Sequence, residues 1–151
     1  MRRKDKEIFD QNTIQEILLK SEICRISLND IDYPYILPLN YGYQDNSLYF
    51  HCAKLGKKVD LIRKNNKASF LIEQYYEIAK DDISCKWTTK YRSIIGCGTI
   101  EIINETEQKR NGLDVIMKHY GKFDNEYSNK QLENVLVLRL NIEKLNAKQS
   151  V

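Results

Sequence analysis

Three β-favouring runs follow one another between Ile23 and Ala53 with only turns between them, and this most limits what the chain can fold into. Ile23 to Leu28 alternates, with Cys24, Ile26 and Leu28 on one side and Arg25 and Ser27 on the other. Asn29-Asp30 supplies a turn. Tyr35 to Tyr43 is a second strand, entered at Pro34 and interrupted by Pro38, which offers no ladder N–H and so marks an edge or a bulge. Gln44-Asp45-Asn46-Ser47 turns the chain back into Leu48 to Ala53, so these two strands make a hairpin.

The remaining elements keep that character. Thr13-Ile14-Gln15-Glu16 reads as a capping box opening a helix that runs to about Ser21. Lys57 to Lys64 is a short helix, and Ala68 to Glu73 alternates as a strand. Residues 75 to 90 are polar, with Trp87 in a loop or crossing segment. Tyr91 to Ile103 is rich in β-branched residues, and Gly96 and Gly98 flank Cys97 where a bend or bulge is expected. Thr106 to Tyr120 is an amphipathic helix stopped by Gly121, and Val135 to Leu145 is the last strand. Six strands set against helices without βαβ alternation predict a mainly β fold with flanking helices, an antiparallel sheet or barrel.

Length and charge narrow the function. At 151 residues the chain fits one domain, 1–151, with no repeat or linker. Lys and Arg number 24 against 21 Asp and Glu, a balance too even for a dedicated nucleic-acid surface. The local exception is the basic tip Met1-Arg2-Arg3-Lys4. Cys24, Cys52, Cys85 and Cys97 form no C-x-x-C pair and have no histidines at ligand spacing, so neither a zinc site nor a disulfide framework is indicated. No apolar run approaches about 18 residues, and a soluble cytoplasmic protein is expected.

The chemistry concentrates at Leu48-Tyr49-Phe50-His51-Cys52-Ala53-Lys54-Leu55-Gly56-Lys57-Lys58. A strand empties into a glycine-led helix start carrying two adjacent lysines, the form of a phosphate site as well as of a solvated helix face. His51 can exchange a proton near neutral pH and is the candidate catalytic group. Cys52 adjoins it, but neighbouring strand side chains point to opposite faces, which argues against a Cys–His couple. His119 stands where it can stabilise a helix terminus. Without G-x-G-x-x-G, a Rossmann-type dinucleotide site is disfavoured.

Taken with Arg2-Arg3-Lys4-Asp5, Pro34-Tyr35-Ile36-Leu37-Pro38-Leu39-Asn40-Tyr41-Gly42-Tyr43, Tyr91-Arg92-Ser93-Ile94-Ile95-Gly96-Cys97-Gly98 and Ala147-Lys148-Gln149, these motifs resemble the flavin-binding split-barrel superfamily of pyridoxamine 5′-phosphate oxidase. The nearest branch is that of the nitroimidazole-resistance (Nim-type) proteins. The resemblance implies a six-stranded antiparallel split β-barrel and a homodimer holding FMN at the subunit interface. By position it lays Pro38, Leu39, Asn40 and Tyr41 along the flavin, sets Phe50, His51 and Cys52 beside it, and gives the phosphate to Lys57 and Lys58. Ser93, Ile94 and Ile95 serve the ring pocket or the dimer contact. Cys52 replaces a frequent serine, losing a hydroxyl, and Lys57 replaces a frequent arginine, turning a fork into a point charge. The implied activity is FMN-dependent reduction of nitroaromatic or related small acceptors, with no metal, nucleic acid or membrane partner. A non-catalytic flavin-binding module and a single-strand nucleic-acid barrel are the alternatives.

Overall fold

The computed structural model describes residues 3–150, apart from the side chain of Tyr75. Met1 and Arg2 of the expected basic tip lie outside the described residues. One antiparallel sheet organises the chain. Its strands are β1 (Glu7–Ile8), β2 (Ile23–Leu28), β3 (Tyr35–Asn40), β4 (Gly42–Gln44), β5 (Ser47–Cys52), β6 (Lys67–Ala79), β7 (Thr88–Ile103) and β8 (Leu136–Ser150). The order across the sheet is β3-β2-β6-β7-β8-β5-β4, with β1 added to β8. The outermost strands β3 and β4 are consecutive in the chain, joined through Tyr41 alone, yet do not pair. The sheet therefore curls round to a seam closed by covalent continuity rather than by a ladder, the split barrel that the sequence motifs resemble.

Eight strands stand where six are expected. One extra is β1, and the other comes from division of the Tyr35–Tyr43 run at Tyr41. Pro38 does not interrupt its strand: it lies opposite Arg25 in an unbroken register. It is tolerated because β3 is an edge, where a missing N–H costs least. The hairpin between β4 and β5 turns through Asp45 and Asn46, both in the left-handed region, as a two-residue turn matching strand twist requires.

Four helices flank the sheet: α1 (Gln11–Lys20), α2 (Lys57–Lys64), α3 (Thr106–His119) and α4 (Asn129–Asn134). The cap of α1 corrects the sequence reading. Asp10, not Thr13, caps it, its carboxylate accepting from the Thr13 N–H at 2.8 Å, while Glu16 pairs with Lys20 and Arg92. The Thr13 hydroxyl donates to the same carboxylate at 2.7 Å, so Thr13 is held by the cap rather than acting as one. Gly121, at φ +80°, stops α3 as expected. The capping box of the short α4 belongs to Ser128 and Gln131, in a stretch where no helix is expected.

The core gathers the inward faces of the strands, with Ile26, Leu28, Leu48, Phe50, Ile72, Ile94, Leu138 and Leu140 fully buried. Ile14, Ile17 and Leu18 of α1 join them. Residues 75–79 and 88–90 are strand, and the rest of 75–90 forms the connection between them. Beyond Tyr76, among the described residues, β6 and β7 pair only with each other, forming a two-stranded arm. Trp87 sits at its end, half exposed, donating its indole N–H to the Asp81 carbonyl at 2.6 Å, so it is not part of the core.

Gly96 and Gly98 mark an irregularity, as expected. Cys97 pairs with Lys144 and Gly98 with Ile142, so Glu143 is the extra residue, bulged on β8. A Cβ on Gly98 would overlap the Asn141 carbonyl. Gly98→Ala is therefore expected to destabilise the fold by about 1–3 kcal/mol. Urea unfolding should show a lower midpoint with unchanged slope.

Candidate functional site

The seam leaves two strand edges facing each other. β3 has no neighbour beyond β2, and β4 covers β5 only from Ser47 to Tyr49, leaving Phe50, His51 and Cys52 paired on the β8 side alone. β3 lies close to β5 across this split. Unpaired backbone N–H and C=O groups on both sides are polar groups that a planar, heteroatom-edged ligand can satisfy.

Just past the free end of β5, Gly56 opens α2 with φ +124°, and nothing stands within 4 Å of where its side chain would begin. Val59, Leu61 and Ile62 bury one face of α2 and so hold its start in place. Lys57 and Lys58 are the first two residues of this helix, where first-turn N–H groups lack partners within the helix. Lys57 is engaged already: its ammonium lies 2.7 Å from Asp30 Oδ2 and 5.0 Å from the centre of the Tyr35 ring. The hydrogen-bonded ion pair raises the Lys57 pKa and lowers that of Asp30. Lys58 makes no ion pair among the described residues.

The side chains expected around a ring divide by strand parity. Pro38 and Asn40 face outward on β3 and Leu39 faces the core, while Asn40 Nδ2 donates to the Tyr120 hydroxyl at 3.2 Å. Tyr41 and Phe50 are fully buried, so their side chains serve the core and only their backbone reaches the seam. The Tyr41 hydroxyl donates to the Leu18 carbonyl at 2.7 Å, and burial holds its pKa far above the usual phenol range. His51 is exposed on the outward side of β5. Cys52 faces the core side, half-buried, with its pKa raised by desolvation, so the two point apart.

Ser93, Ile94 and Ile95 are not brought to the seam. They lie on β7, separated from β3 by β2 and β6. Ile94 is fully buried, whereas Ile95 is 57% exposed on the outer face, in one cross-strand row with Leu71, Arg25 and Pro38. Ile36 on β3 and Tyr76 on the arm are also strongly exposed. His119 reaches away from its helix end, its Nε2 lying 2.7 Å from the Ser21 carbonyl, so it bridges α3 to the turn after α1.

A recess of about 550 Å³ lies elsewhere, between the end of α1 and the foot of the arm, lined by Ser21, Glu22, Arg25, Glu73, Gln74 and Tyr76. Its charges are internally matched by the Arg25–Glu73 ion pair at 2.9 Å. Asp30 and Tyr35 are the site neighbours that sequence reasoning missed. Asn29-Asp30 reads only as a turn, and nothing local ties it to a lysine 27 positions later.

A sequence profile of the pyridoxamine 5′-phosphate oxidase family matches residues 10–149. The chain belongs to that family. A crystal structure of a candidate 5-nitroimidazole antibiotic resistance protein from Bacteroides thetaiotaomicron VPI-5482 is similar at a TM-score of 0.85 and 29% identity, over 94% of this chain and 85% of that one. The FAD and heme binding protein of Mycobacterium smegmatis superposes at a TM-score of 0.86 and 19% identity, over 96% of this chain and 73% of its own, a likeness of fold. A curated but uncharacterized protein of Rhizobium meliloti (strain 1021) is 29% identical over 69 residues, 45% of this chain and 44% of that relative, so the match spans less than half of either.

Proposed function

We propose that this protein binds FMN in the split between β3 and β5 and works as an FMN-dependent oxidoreductase, reducing nitroaromatic or related small acceptors. Family membership supports a flavin ligand, and the 29%-identical structure supports the acceptor class. The observation that carries the reading is a pair of lysines at an open, glycine-led helix start, set at one end of two unpaired strand edges. That arrangement suits a phosphate at one end of a ligand and a ring with polar edges at the other. Bound flavin would supply the two-electron chemistry.

The chain's own groups bind and orient. Lys57 and Lys58 hold the phosphate, and the backbone of Pro38 to Tyr41 and of Phe50 to Cys52 satisfies the ring edge. His51 is the candidate proton donor to the acceptor. The outer face bearing Ile36, Pro38, Leu71 and Ile95 docks a second copy, which brings Ser93 and Ile95 to the partner's cofactor. No helix among the described residues is long and apolar enough to cross a membrane.

Three outcomes test this reading. Lys58→Ala should weaken FMN binding about tenfold or more, a charge-assisted contact being worth about 1.5–3 kcal/mol, while riboflavin affinity holds. Titration of apo-protein with both ligands decides, and equal losses sink the phosphate assignment. Light scattering at micromolar concentration should give a flavin-loaded dimer, and a loaded monomer contradicts the shared site. His51→Gln, saturated with FMN and chemically reduced, should pass electrons to a nitroaromatic about 10²–10⁴ times more slowly in stopped flow. An unchanged rate removes His51 from the chemistry.

A further inference from the structure

Asp30 stands on the group that a phosphate would use. One of its oxygens lies 2.7 Å from the Lys57 ammonium, and the other accepts the Ile31 N–H at 2.8 Å. Its side chain is 23% exposed against 58% for Lys57, so the carboxylate is the better enclosed partner. The Tyr35 ring holds the ammonium from a second direction. Lys57 is thus charge-compensated within the chain, whereas Lys58 is not paired among the described residues. A phosphate arriving at this helix start meets one uncommitted cation, one committed cation and a fixed negative charge.

We propose that Asp30 is a specificity element of this site, a resident carboxylate that must release Lys57 before a phosphate can take it. It sets affinity for the phosphate-bearing ligand below what two lysines would give, and it couples phosphate occupancy to residues 29 to 34. The inference rests on the reading that α2 receives the flavin phosphate. Phosphate and carboxylate compete for one ammonium, and like charges at such short range repel even in a solvated setting. Freed from Lys57, Asp30 loses the contact that ties its turn to α2. That turn carries Ile31 and Tyr33, each more than four-fifths exposed, beside the site.

The experiment compares the intact apo-protein, Asp30→Asn, Lys57→Ala and the double variant, each titrated with FMN and with riboflavin by flavin fluorescence. Asp30→Asn should bind FMN roughly three- to tenfold more tightly with riboflavin affinity unchanged, the range expected when an exposed pair and a nearby like charge are removed. Lys57→Ala should cost more FMN affinity in the Asp30→Asn background than alone, because Lys57 is then free to serve the phosphate. In the unsubstituted protein, the Ile31 amide resonance should move with FMN and not with riboflavin. Unchanged or weaker FMN binding in Asp30→Asn, with riboflavin bound normally, overturns the role of Asp30 and leaves the flavin reading standing. An Ile31 amide indifferent to FMN, in a protein that binds it, does the same. Failure of the unsubstituted protein to bind either flavin overturns both.

Discussion

The fold turns on Tyr41. This single residue joins the two ends of a curled sheet that no ladder closes, so its placement decides where the seam lies. Three contacts fix it. Its N–H donates to the Tyr120 hydroxyl at 3.1 Å, its own hydroxyl donates to the Leu18 carbonyl, and its ring lies 4.5 Å from that of His119. The Tyr120 hydroxyl in turn donates to the Glu22 carbonyl at 2.5 Å, tying the end of α3 to the turn between α1 and β2. Gly42 follows at once, where any side chain would run into the backbone of α3 at Val115. A buried tyrosine whose N–H and hydroxyl are both satisfied is worth far more as a fastener than one left wanting, because an unpaired group there costs about 1–3 kcal/mol. Two helices thus meet on one side chain at the joint between β3 and β4.

The strand edges at the seam remain open because closing them would require β3 and β4 to pair, and the chain allows one residue to turn between them. What closes the structure covalently keeps it open for hydrogen bonding. The candidate site is therefore a by-product of topology, which sets the free edge of β3, the uncovered end of β5 and the start of α2 near one another. Side-chain chemistry adds the lysines and the aspartate that pairs with one of them.

Most elements were legible in the sequence because strand alternation and helix stops are local signals. β2 ran from Ile23 to Leu28 as its pattern indicates, α2 ran from Lys57 to Lys64, and α3 ended before Gly121. The failures were those of capping and of pairing. Asp10 caps α1 by taking the N–H and the hydroxyl of Thr13, which a motif starting at Thr13 hides. The arm from Tyr76 to Thr88 carries too many charges to alternate clearly, and only its cross-strand partners make it a strand. Position along the chain put Lys57 and Lys58 at the start of α2, but it did not reveal that Tyr41, Phe50 and Ile94 turn their side chains into the core. Nor did it show Asp30 standing on Lys57, a contact made only when the turn after β2 meets α2.

Pro38 carries a consequence beyond ligand binding. An exposed strand edge is a template on which another polypeptide can build cross-strand pairs, the first step of edge-to-edge aggregation. β3 must keep such an edge, since the split is made of it. By breaking the row of donors at the middle of that strand, Pro38 makes the edge a poor template for a regular strand. A small planar molecule would need only two or three backbone groups, fewer than the row that a strand requires. One imino acid thereby sets a stricter condition for a polypeptide than for a small ligand at the same edge.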